Sequence, residues 1–79
     1  MKTYVYCIFD KVANEGGPLF QAKNDAVALR QFQMMREGLH KEVRPDDFKL
    51  FRLGFYDSDT LSLHGQPEVE IFLQTEGEE

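Results

Sequence analysis

Apolar positions along the chain form an alternating run, then a helical stripe, then a second alternating run, with Gly, Pro, Asn and Asp marking the breaks. Residues 2 to 10 (KTYVYCIFD) are rich in β-branched and aromatic side chains and predict a first strand. Its period of two puts Val5, Cys7 and Phe9 on one face and Tyr4, Tyr6 and Ile8 on the other, so both sides are apolar or aromatic. Asn14 to Pro18 (NEGGP) predicts a turn or loop, and Leu19 to Ala22 a short extended piece.

Asn24 is a good N-cap, Asp25 suits the positive end of a helix dipole, and the spacing predicts a helix from Asp25 to about Leu39. Ala28, Leu29, Phe32, Met35 and Leu39 form its apolar stripe, with Asp25, Arg30, Gln33 and Glu37 on the solvated side and Gly38 at the end. Lys41 to Asp47, which contains Pro45, predicts a loop. Phe48 to Tyr56 (FKLFRLGFY) predicts the second long strand, and the DSDT after it a turn. Leu61 to Leu63 reads as the returning arm of a hairpin and Val69 to Leu73 as a further short strand. A single domain over residues 1 to 74 and a disordered acidic tail over 75 to 79 follow, because TEGEE has nothing to bury.

These elements predict an α+β fold, a small, mostly antiparallel sheet of three to five strands with one amphipathic helix packed on one face. The residues expected beneath the helix are Val5, Cys7, Phe9, Phe51, Leu53 and Phe55. The other face would show Tyr4, Tyr6, Phe48, Leu50, Arg52 and Tyr56, which is too apolar to leave in water.

A length of 79 residues holds one domain and leaves no room for a separate catalytic one. Small cores often recruit a disulfide, a metal or a second subunit. Cys7 is the only cysteine, which excludes an internal disulfide and points to a reducing compartment. His40 and His64 belong to no ligand-spaced pair, so neither a metal nor another cofactor is expected. Self-association remains. No window approaches a membrane span and the first ten residues do not resemble a leader, so the expected location is the cytoplasm.

The net charge of -5 conceals an asymmetry. Residues 1 to 52 hold all nine Lys and Arg with seven acids, while residues 53 to 79 hold seven acids and no base. A basic body with an acidic tail suits a polyanion binder, and equally a body with a solvated end.

Catalysis lacks its parts. There is no phosphate loop, no GxGxxG and no nucleophile with a helpful base, and EGGP is a turn. The pairs Asp46/Asp47 and Asp57/Asp59 sit where Asp is ordinary turn chemistry. His40 and His64 read as solvated surface residues, Met34 and Met35 as packing, and Cys7 as a small buried hydrophobe. Single-stranded nucleic acid is bound by aromatic platforms beside a basic groove. Tyr4, Tyr6, Phe48 and Tyr56 supply such a platform, Arg52 shares their face, and Lys2, Lys41, Arg44 and Lys49 lie near strand ends or in the adjoining loop. Lys23, Arg30 and Arg36 add a second basic row on and beside the helix. The same aromatic face is equally suited to a homodimer interface, since interfaces favour Tyr, Phe and Arg too.

The segments VYCIFD, PLFQAKNDAVALRQF and RPDDFKLFRLGFYDSDT resemble the small non-structural protein of the gokushoviruses, single-stranded DNA phages of the Microviridae. The matching positions are Phe9 and Asp10, Pro18 and Phe20, Asn24, then Ala28, Arg30 and Phe32. Farther on they are Pro45, Asp47 and Phe48, Leu53 and Gly54, and Asp57 with Thr60, while Leu61 stands where the family often has Gly. The resemblance implies association with DNA during the switch from double-stranded replication to single-stranded genome synthesis. The expectation is a non-catalytic, homodimeric protein binding single-stranded DNA in the host cell cytoplasm. The alternative is a homodimeric interaction module for a host or phage protein.

Overall fold

The computed structural model describes residues 1 to 39 and 43 to 72. His40, Lys41 and the tail assigned to 75 to 79 lie outside the described residues. Element order is β1 (Lys2–Asp10), β2 (Glu15–Ala22), α1 (Asp25–Glu37), a short 3-10 turn (Pro45–Asp47), β3 (Phe48–Asp57) and β4 (Ser62–Ile71). The strands make one sheet in the order β2-β1-β3-β4, antiparallel at every seam. The fold is therefore α+β, four strands and one helix.

Local chemistry sets the turns. The Asp10 carboxylate accepts the backbone N–H groups of Val12 (2.9 Å) and Ala13 (3.2 Å), and Asn14 takes a positive φ of 60° to close the β1–β2 hairpin. The turn thus lies at residues 11 to 14, ahead of the expected NEGGP, and β2 begins at Glu15. Pro18 is tolerated inside β2 because that strand is at the edge of the sheet, where an absent N–H breaks no ladder. The Asn24 side chain caps α1 by accepting the Val27 N–H at 2.9 Å, and the helix ends at Glu37, two residues short of the predicted Leu39.

The two short segments expected at the C-terminal side are one strand, β4, with an irregularity inside it. Pairing with β3 runs from Asp57↔Ser62 to Gly54↔Gly65, skips, and resumes at Arg52↔Val69. The bulge falls at Leu53 and Gly54, where the β1 register also shifts: Val5 faces Gly54, but Tyr6 faces Arg52. Past that point the alternation of β3 inverts, so Phe55 joins Tyr4 on one face while Tyr56 joins Thr3 on the other.

The helix covers the face opposite to the one expected. Tyr6, Ala22, Ala28, Phe32 and Leu50 form the buried core, with Tyr4, Ile8, Phe20, Phe48, Met35 and Ile71 among the side chains packed around it. Val5, Cys7, Phe9, Phe51 and Leu53 point away from the helix. Both faces of β1 are apolar, so its periodicity is silent on which one is covered. The β2 strand decides it: Phe20 and Ala22 flank Tyr6 and Tyr4 on the helix side, while the polar Gln21 points away and accepts the Thr3 hydroxyl at 2.7 Å. Ala22 and Ala28 are small, so sheet and helix approach closely there.

Candidate nucleic-acid interface

The helix side of the sheet has two halves. Over one, α1 seals the core. Beyond its first turn, Tyr4, Phe55 and His64 stand on adjacent strands, with Tyr4 opposite Phe55 and Phe55 opposite His64. The Phe55 and His64 rings stack at 4.6 Å between centroids and 17° between planes. Lys2 Nζ lies 4.3 Å from the Phe55 centroid and 5.9 Å from that of Tyr4, and the Arg52 guanidinium lies 5.5 Å from the Tyr4 centroid. Three rings and two cations thus share one partly open surface.

Its boundary is a hydrogen-bonded network. The Tyr6 hydroxyl donates to Asp25 Oδ1 at 2.6 Å, and Arg52 Nη1 donates to Asp25 Oδ2 at 2.7 Å. A carboxylate in the first helical turn therefore ties β1, β3 and α1 together and aims Arg52 along Tyr4. Burial, then the hydrogen bond to Asp25 and its charge, hold the Tyr6 phenol well above the ordinary value of 10.0. The neutral phenol is thus favoured by folding; its stabilisation is whole below the ordinary tyrosine value and is lost as pH rises beyond it. Tyr6→Phe is expected to cost about 1 kcal/mol at neutral pH and to flatten the loss of stability as pH rises above about 10, read by urea unfolding.

The acids at this end of the sheet are partly matched. The N-terminal ammonium pairs with Asp59 and lies 3.6 Å from Asp57 Oδ1. Asp57 is held below its ordinary value, first by the Asp59 N–H donating to it at 3.0 Å.

The residues predicted as a binding site do not form one surface. Tyr6 is 0% exposed and cannot stack on a base, a correction that follows from the helix covering its face. Phe48 and Leu50 lie under the same helix. Tyr56 is on the other side of the sheet, and Lys49 is there too, 3.6 Å from Glu70. Arg36 lies 5.3 Å from the Phe32 ring and 3.4 Å from Asp46, and Arg30 is exposed on the helix. Lys23 and Arg44 are exposed in connecting segments; Lys41 is outside the described residues. Only Tyr4 and Arg52 of that set belong to the aromatic and cationic patch, with Lys2 beside them. Phe55, expected under the helix, and His64, expected to be a solvated surface residue and exposed here, complete it. Gly54 inside a strand pattern was the signal for the bulge that moves Phe55 to this face.

Among the described residues no group of three or more His, Cys, Asp or Glu side chains could hold a metal ion, and no helix is long and apolar enough to cross a membrane.

The fold and patch define a small α+β domain with a compact cluster of rings and cations on the half-covered face of its sheet. By sequence it is a phage protein: the model of the Phage ORF5 protein family matches residues 3–76, and the chain belongs to that family. No curated protein and no solved structure matches it significantly.

Proposed function

We propose that this phage protein is a non-catalytic accessory protein that binds single-stranded DNA through Lys2, Tyr4, Arg52, Phe55 and His64. In this reading it acts in the host cell cytoplasm during the passage from double-stranded replication to single-stranded genome synthesis. The supporting observation is the patch itself, three rings on neighbouring strands with a cation 4.3 Å from one and another 5.5 Å from the next. Bases stack on such rings with little regard to sequence while Lys and Arg follow the phosphates. Binding is expected to weaken with salt, log K falling by roughly 0.7 for each phosphate contact per unit of log salt.

Fluorescence anisotropy of a labelled strand of about 20 nucleotides, at two salt concentrations, tests this. Phe55→Ala is expected to weaken binding by about 1 to 3 kcal/mol, roughly 5- to 150-fold, and Lys2→Ala to lower the salt slope. Absence of binding at low salt, or binding indifferent to both changes, overturns the proposal.

A further inference from the structure

The sheet face turned away from α1 has no covering element among the described residues. It is built from Val5, Cys7 and Phe9 on β1, Leu19 on β2, and Phe51 and Leu53 on β3, with Tyr56 and Leu63 toward one end. Leu19 and Leu63 are 60% and 68% exposed. Two shallow depressions lie on it, about 360 Å³ beside Phe9 and Phe51 and about 350 Å³ between Leu19 and Leu63.

We propose that this face packs against the same face of a second copy, forming a two-sheet sandwich with the helices outside. Four strands about 4.8 Å apart and roughly 25 Å long present about 500 Å² each, so two copies bury on the order of 1,000 Å², the lower bound for a stable interface. Sheets packed face to face interdigitate side chains across about 10 Å, and each depression can receive a leucine from the copy opposite.

Charge argues for a copy over a strongly charged partner. The face carries Lys49, which is bound to Glu70 at 3.6 Å, and a further acid, Glu68, beside Phe51. That near balance offers nothing to a polyanion, while in a two-fold pair each lysine has acids within the same seam. The pairing also covers Val5 and Cys7, each 8% exposed in the single copy. A sandwich leaves the Tyr4, Phe55 and His64 patch on the outside, so each dimer displays two.

Sedimentation velocity on the full chain, from low micromolar to roughly 100 μM, reads the proposal directly. The expected mass is twice that of the chain. Leu19→Glu with Leu63→Glu is expected to give a monomer with an unchanged circular dichroism spectrum, since both side chains are largely exposed in the single copy. Cys7 supplies a second readout on the unaltered protein: its alkylation should slow as concentration rises. A monomer at the highest concentration, or a dimer that persists in the double variant, overturns the proposal. Phe55→Ala should leave the mass unchanged, which separates this interface from the DNA site.

Discussion

Gly54→Ala is expected to lower stability by more than about 3 kcal/mol, the largest effect of any single methyl group in the sheet. Gly54 is paired with Val5 on one side and Gly65 on the other, at a φ of 157°. A Cβ added there would fall deep inside contact with the His64 carbonyl oxygen and against the Gly65 backbone. These are backbone atoms in a paired strand, so neither can swing aside as a side chain would. Relief requires β3 and β4 to separate, which also undoes the stacking of Phe55 on His64. Gly65→Ala is the matched control, because its added Cβ meets nothing within 4 Å, and it should shift the urea midpoint little. If both substitutions cost the same, the close approach at Gly54 is not what holds the strand in register.

The bulge also marks where sequence reasoning stopped working. The starts of β1, α1 and β3, and the extent of β1, are legible because each rests on local features: a β-branched and aromatic run, an Asn cap with helical spacing, a second alternating run. Which face the helix covers was not legible from β1 or β3. Val5, Cys7 and Phe9 are as good a core stripe as Tyr4, Tyr6 and Ile8. The polar Gln21 between Phe20 and Ala22 carries that information, in an eight-residue strand of which the sequence pattern predicts only the last four as extended. The unity of β4 was hidden for another reason. Residues 65 to 67 (GQP) look like a break, and only pairing with β3 on either side of the irregularity carries the strand through. The patch of Lys2, Tyr4, Arg52, Phe55 and His64 exists only across strands, so its geometry depends on a register that no single segment encodes. Tyr4, Lys2 and Arg52 were recognisable as residue types suited to nucleic acid; their neighbours were not.

Asp25→Ala sets stability against binding and should move them in opposite directions. Removing the carboxylate leaves the Tyr6 hydroxyl without a partner beneath a fully covered ring and releases Arg52 from its 2.7 Å contact. An unpaired buried hydroxyl costs about 1 to 3 kcal/mol, and an acid lost from the first turn of a helix about 0.3 to 1 kcal/mol, so a loss near 3 kcal/mol is expected. Adding Tyr6→Phe to Asp25→Ala should recover part of it, because the orphaned hydroxyl is then gone; simple additivity would show that the hydrogen bond carries none of the cost. Binding should respond the other way. Without Asp25 the patch keeps Lys2 and Arg52 and loses its nearest negative charge, so single-stranded DNA should bind more tightly at low salt, with the slope of log K against log salt steeper by up to about 0.7. The comparison has to be made at a temperature where the variant remains folded by circular dichroism. Weaker binding under those conditions would mean that Asp25 aims Arg52 at the strand, and that the guanidinium acts by position more than by charge.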